Sequence, residues 1–146
     1  MTFQKLKDEL QVMYGGCHYF IDVDKILDAE LFIDGKVTTV AKISVKENFT
    51  AEQTAALFVA IHYGFYSSDR ELVNDIQDGN YRFDPDITDE KELGVQLMED
   101  YVEMGAVSRD FYDQVLIFNV NYEKLGWEYT VNQACIVDKY GFFEKF

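Results

Sequence analysis

The chain has 146 residues, enough for one domain or two small lobes with a hydrophobic core. Apolar residues make up 48% of it and aromatic residues 16%, which excludes a chain that stays disordered for lack of buriable surface. The 27 acidic and 13 basic residues give a net charge of −14, which repels nucleic acid and anionic membranes and favours basic partners. Without other evidence, a net charge of this size is more typical of a surface whose acidity only keeps the protein soluble.

The remaining composition predicts a cytoplasmic protein without catalytic machinery. Cys17 and Cys135 lie far apart, and the chain shows no signal peptide or membrane-length apolar run, so we expect a reducing compartment. The two cysteines and two histidines lack the spacing of a zinc site. No nucleophile elbow, phosphate-binding loop, dinucleotide fingerprint or metalloprotease motif occurs. We therefore expect no enzymatic activity, no metal and no cofactor.

The first half of the chain predicts a helix, a hairpin and a second helix. Apolar residues at three- and four-residue spacing indicate an amphipathic helix over Thr2–Tyr14. Residues 26–45 alternate around Asp34-Gly35, a dipeptide typical of a type I′ turn, and predict a hairpin. Thr50 and Gln53 form a capping-box pattern that opens a buried helix ending at Gly64.

The second half predicts a series of capped helices. Ser68 opens a helix that ends near Gly79, and Thr88 opens a longer one that ends at Gly105. Ser108 opens a further helix that continues to about Phe118. The sequence therefore predicts mostly helix between residues 68 and 118.

These elements together predict an α+β fold. It comprises an N-terminal helix, a β-hairpin and a buried helix, then an acidic helical lobe and a short C-terminal strand pair over residues 134–146. We predict lobes of residues 1–66 and 67–146, although one compact domain is the alternative.

The acidic residues are concentrated in residues 69–113, where 14 acids and four bases leave −10 in 45 residues. We predict these 14 carboxylates as contacts to a basic partner. They are Asp69, Glu71, Asp75, Asp78, Asp84, Asp86, Asp89, Glu90, Glu92, Glu99, Asp100, Glu103, Asp110 and Asp113.

Part of this charge follows helical spacing. One predicted helix carries Glu71, Asp75 and Asp78 on a single face, and the next carries Glu92, Glu99 and Glu103. A solvated helix face is the alternative interpretation, but like charges at this spacing destabilise a helix. A surface that fills a cationic groove gains from them, because it contacts the same lysines and arginines as DNA.

A metal-dependent or acid/base site is a weaker hypothesis. Carboxylates near Asp84, Asp86 and Asp89 could bind a hard cation or form a catalytic pair. Residues 78–89 have the length of a calcium loop, but Phe83 occupies the position that requires glycine. An EF-hand is therefore excluded.

Several short motifs occur in a defined order between residues 78 and 146. They are Gly79, Tyr81, Phe83, Pro85 and Asp86; Asp89, Leu93 and Gly94; Glu103, Gly105 and Ala106; and Tyr122, Glu123 and Gly126. This order resembles the C-terminal part of ArdA-type antirestriction proteins. Two features differ: Trp127-Glu128 stands where that family tends to place an Arg-Asp-like pair, and residues 1–66 do not match the family.

The resemblance implies a phage or mobile-element protein in the cytoplasm of a bacterial host. Its carboxylates would imitate DNA phosphates and block a type I restriction-modification complex, without binding nucleic acid or membrane. A homodimer through the C-terminal lobe is also implied. Two alternatives are inhibition of an RNA-guided CRISPR nuclease by the same mimicry, and an acidic protein-interaction module that leaves DNA bound.

Overall fold

Helices dominate the computed structural model, which describes residues 34–66 and 68–146. The helices in these residues are α1 (Lys36–Glu47), α2 (Ala51–Tyr63), α3 (Asp69–Asp78), α4 (Glu90–Glu103), α5 (Arg109–Gln114) and α6 (Tyr122–Asn132). A 3-10 helix spans Leu116–Phe118, and the strands are β1 (Tyr81–Asp84), β2 (Cys135–Asp138) and β3 (Gly141–Lys145). The strands form a small antiparallel sheet in the order β1-β3-β2. The predicted α+β class is confirmed.

The predicted hairpin is wrong in its second strand, which is the helix α1. Gly35 has a φ of 77° and is the N-cap residue of this helix, so a helix begins where the prediction placed the second strand. Val37, Val40 and Ser44 recur at helical spacing and are buried. Packing of this face against α2 outweighs the strand preference of the β-branched residues. Thr2–Tyr14 and the predicted first strand lie outside the described residues.

The predicted helix caps at Thr50, Ser68 and Ser108 are confirmed. The Thr50 hydroxyl accepts from the Gln53 N–H at 3.2 Å, and the Gln53 side chain accepts from the Thr50 N–H at 2.9 Å. The Ser68 and Ser108 hydroxyls accept from the N–H three residues on. For α4 the cap is Asp89, one residue after the predicted Thr88. These caps are local, so the sequence predicts them well.

The chain divides into two compact units. The first runs to Phe83 and includes Lys145 and Phe146, and the second comprises Asp84–Glu144. In the first unit α2 packs against both α1 and α3. The division predicted at residues 66/67 assigns α3 to the other lobe, whereas its packing on α2 places it in the first unit. The buried residues of α3 are Leu72 and Ile76.

The second unit is organised around the crossing of α4 and α6. A Cβ on Gly94 would overlap the carbonyl oxygen of Tyr122, and a Cβ on Gly126 would overlap the carbonyl oxygen of Glu90. Each helix thus presents a glycine to the backbone of the other. Because neither position has room for a side chain, the two glycines determine how closely the helices approach.

A hydrophobic core lies under this helix pair. It contains Ile87, Leu93, Leu97, Cys135 and Phe142, with Tyr101, Leu125, Tyr129 and Val137 packed around it. The predicted terminal strand pair is confirmed: β2 and β3 are antiparallel, with Cys135 opposite Glu144. The Glu144 carboxylate is buried and accepts from the Tyr129 hydroxyl at 2.8 and 2.5 Å. This bond offsets part of the cost of burying a charge.

We expect alanine at position 94 or 126 to destabilise the protein. Gly94→Ala and Gly126→Ala each add a methyl group where backbone atoms stand, at a cost of about 1–3 kcal/mol. Alanine would otherwise favour a helix by about 1 kcal/mol, so the sign of the effect is diagnostic. Urea denaturation measures it. The control Val95→Ala, at an exposed neighbour, should change stability by less than about 0.5 kcal/mol, and equal effects would contradict the crossing.

We expect the Cys135 thiol to react slowly in the folded protein. Burial, with a smaller contribution from Glu144, raises the pKa of Cys135 from 9.0 to about 11. At pH 8 the thiolate is therefore about 100-fold rarer than in an unperturbed thiol. In a Cys17→Ser variant, labelling with a disulfide reagent should be correspondingly slower than in urea, and should accelerate about tenfold per pH unit up to pH 11. Equal rates with and without urea would contradict this burial.

Candidate functional site

The candidate site is the set of 14 carboxylates in residues 69–113, of which four lie in the first unit and ten in the second. The exposed residues are Asp69, Asp78, Asp86, Asp89, Glu92, Glu103, Asp110 and Asp113, and the half-buried ones are Glu71, Asp75, Asp84, Glu90, Glu99 and Asp100. The second unit as a whole has 14 acidic and four basic residues, a net charge of −10. Its surface is therefore strongly negative.

In the first unit, two of the three carboxylates in the α3 stripe have internal contacts. Glu71 accepts from the Lys145 ammonium at 2.9 Å, and this ammonium lies 4.4 Å from the centre of the Tyr66 ring. Burial of Tyr66 and, secondly, its interactions with Asp75 and Glu71 raise its pKa above the usual value. Only Asp78 of the predicted stripe is exposed. Glu71 and Asp75 therefore interact within the fold, and Asp78 is the exposed carboxylate of this stripe.

At the N-terminal end of α4, two of the predicted contact residues cap the helix. An Asp89 carboxylate oxygen accepts from the Glu92 N–H at 2.8 Å. The Glu92 carboxylate accepts from the Thr88 N–H at 3.2 Å. Acidic residues in a first turn also complement the helix dipole. Both side chains are exposed, but each has a structural reason to be acidic.

The C-terminal end of α4 has a different arrangement. Asp100 accepts from the Gln96 amide at 3.0 Å, and Glu99 accepts from Arg109 at 3.1 Å. The same guanidinium lies 3.6 Å from Asp113. Its hydrogen bond with Glu99 is the main cause that raises the pKa of Arg109. Glu103, the last residue of α4, is exposed.

Three helices of the acidic segment have a carboxylate in their last turn. The last turns of α3, α4 and α5 contain no basic residue, and they carry Asp78, Glu103 and Asp113. By contrast, the last turn of α1 contains Lys46 beside the terminal Glu47, and the last turn of α2 contains His62. The C-terminus of a helix is its negative end, so an acid there costs about 0.3–1 kcal/mol at an exposed position. All three acids are unfavourably placed relative to the helix dipole, and Asp113 also forms an ion pair with Arg109, four residues before it.

The hypothesised metal site is not assembled. Among residues 34–66 and 68–146, no group of three or more His, Cys, Asp or Glu side chains is placed to hold a metal ion. This includes Asp84, Asp86 and Asp89. In the same residues, no helix is long and apolar enough to cross a membrane.

The second unit contains a cavity of about 330 Å³ that was not predicted from the sequence. Its lining residues come from the first turn of α4 and the N-terminal half of α6: Glu90, Asn121, Glu123, Lys124 and Trp127. The missing signal was α6 itself, which we did not predict as a helix. Asn121 caps α6 by accepting from the Lys124 N–H at 3.1 Å, and Asn followed by Glu is a cap pattern present in the sequence.

The motifs behind the ArdA resemblance have structural roles in the described residues. Asp89 caps α4, Leu93 is fully buried, and Gly94 and Gly126 form the helix crossing. Gly105 has a φ of 78° and follows the end of α4. In this chain these motifs thus specify a helix pair, the cap of α4 and its end.

No family model, curated protein sequence or solved structure matches the chain. The functional implications of the resemblance therefore rest on the residues quoted above and on the electrostatics of the second unit.

We expect charge reversal at the end of α4 to stabilise the protein. Glu103→Lys places a cation at a helix C-terminus, four residues after Glu99, and should increase the free energy of unfolding by about 0.5–1 kcal/mol. The control Glu52→Lys makes the same charge change in the first turn of α2 and should destabilise by a similar amount. Urea denaturation at low salt compares them. Equal shifts would indicate an effect of net charge alone.

Proposed function

We propose that this protein is a DNA mimic that inhibits a DNA-binding enzyme of bacterial defence. It occupies the enzyme's DNA-binding surface in the host cytoplasm, performs no chemistry and needs no cofactor. The observation that carries the proposal is the set of acidic helix ends without basic residues. A chain selected only for stability would place lysine or arginine there.

A cationic groove turns these unfavourable positions into favourable ones. Glu99 and Glu103 are one helical turn apart, about 6 Å along the axis, against one phosphate per about 3.4 Å along a DNA strand. Carboxylates at this density meet the lysines and arginines that bind phosphates. The repulsion between these carboxylates destabilises the free protein. Cations of the partner relieve this repulsion in the complex, and the relief adds to the binding free energy.

The resemblance favours a type I restriction-modification complex as the target, and RNA-guided CRISPR nucleases are the second target class. Both present cationic DNA channels to the same competitor. Purified complexes of each class, assayed separately for inhibition, distinguish them. A pull-down from a competent bacterial lysate at low and high salt identifies the target and tests its electrostatic character.

A protein-interaction module is a second candidate, favoured by exposed apolar residues. Phe111 is 50% exposed and Phe118 is 83% exposed, on α5 and the 3-10 helix that follows it. Large exposed aromatics are typical of interfaces with proteins. A complex in which the target still holds DNA would favour the module over the mimic.

We expect Glu103→Lys to weaken inhibition although it stabilises the fold. Replacing one acid with lysine adds two charges and changes the net charge from −14 to −12. Competition with a labelled duplex for the target enzyme should show about tenfold weaker inhibition at ~0.1 M salt, and a smaller difference at higher salt. The reason is that a contact carboxylate becomes a repulsive cation.

Glu52→Lys provides the matched control, with the same net charge and a position outside residues 69–113. It should change inhibition by less than about twofold, because screening leaves only nearby charges effective. Equal losses in both variants would mean that total charge, and not this surface, drives binding. Inhibition by both variants at full strength would overturn the role of α4.

A further inference from the structure

The cavity of the second unit combines an aromatic wall with acidic groups. Glu90 belongs to the first turn of α4, and Glu123, Lys124 and Trp127 belong to α6. Trp127 is the only tryptophan of the chain and is 53% exposed. An exposed indole costs hydrophobic free energy, and tryptophan is enriched among the residues that dominate binding. The cavity is therefore a candidate anchor site.

The helix crossing holds this cavity in place. Gly126, adjacent to Trp127, lies against the backbone carbonyl of Glu90. The backbones that carry the indole and the Glu90 carboxylate are thus in contact and cannot separate without breaking the crossing. A site built on packed helices needs little ordering when a ligand binds.

The charges of the cavity favour a cation. Glu90 and Glu123 contribute two carboxylates, whereas Lys124 is the single cation and lies 4.0 Å from Glu128, which is not a lining residue. An aromatic face attracts cations and gives nothing to an anion. The N-termini of α4 and α6 carry partial positive charge, which by itself repels a cation. The two carboxylates offset this charge.

We propose that this cavity binds an arginine side chain of the protein partner. A guanidinium is planar, stacks on an indole and donates to carboxylates in two directions. A lysine ammonium is more strongly hydrated and has no flat face. The proposal rests on the proposed function, since enzymes that bind DNA present arginines, and it makes Trp127 an anchor outside residues 69–113.

The single tryptophan makes a direct test feasible without the target enzyme. Its indole N–H gives one cross-peak in a ¹⁵N-correlated NMR spectrum. Titration with N-acetylarginine amide should shift this peak saturably, N-acetyllysine amide should bind about threefold or more weakly, and the uncharged citrulline analogue should cause no shift. Glu90→Gln and Glu123→Gln should each weaken arginine binding about two- to fivefold.

Glu103→Gln removes the same charge outside the cavity and should leave the titration unchanged. Equal effects of all three substitutions would overturn the site in favour of general attraction to an acidic protein. A shift with inorganic phosphate and none with arginine would show an anion site at the helix N-termini. No shift with any probe would mean that the acids only complement the helix dipoles.

The target enzyme then separates this inference from the proposed function. Trp127→Leu keeps an apolar side chain but removes the aromatic face, and should weaken inhibition at least about threefold. If arginine binds the cavity but Trp127→Leu inhibits fully, the anchor role in the complex is wrong. If the protein fails to compete with DNA while arginine still binds, the proposed function is wrong and the cavity remains.

Discussion

The crossing of α4 and α6 depends on two glycines, each facing the backbone of the opposite helix. Gly94 and Gly126 have no side chains to hold the helices apart, so the two backbones come into contact. Dispersion attraction between these closely packed backbone atoms then stabilises the crossing. Leu93 and Leu97 then face Phe142 and Cys135 in one core. Because this contact buries one face of α4, it also determines which face, with its acidic side chains, is exposed to solvent.

A net charge of −10 in the second unit makes that packing necessary. Repulsion among exposed carboxylates destabilises the compact state, and acidic helix ends add to it. Arg109, between Glu99 and Asp113, is a local compensation at an exposed position, where ion pairs contribute little. The apolar core and the glycine crossing must therefore carry most of the stability of this unit.

The sequence predicts local features better than packed ones. The caps at Thr50, Ser68 and Ser108 need only a side chain and an N–H three residues away. The strand predicted at Lys36–Val45 was wrong, because burial of Val37 and Val40 against α2 is a tertiary effect. Helix α6 was missed for the same reason: Gly126 weakens an isolated helix and becomes favourable only where α4 needs space.

The candidate site shows the same division. The sequence located the acidic residues, because charge can be counted, but not their roles. Whether Glu92 caps a helix or Glu99 meets Arg109 depends on groups placed by the fold. The cavity at Trp127 required both α6 and the crossing, and neither could be read from residue spacing. Tyr129 and Glu144, 15 residues apart, are a further pair that only the fold brings together.

The two ends of α4 differ in what acidity does for them. At the N-terminal end, Asp89 and Glu92 stabilise the helix, so their charge needs no partner to explain it. At the C-terminal end, Glu103 opposes the helix dipole, so helix stability does not account for its charge, whereas the proposed cationic partner does. The 14 residues of α4 span about 21 Å, the length of about six base pairs. A partner that contacts both the cavity at one end and Glu103 at the other must present cations across that distance, as a duplex-binding groove does and a pocket for a single anion does not.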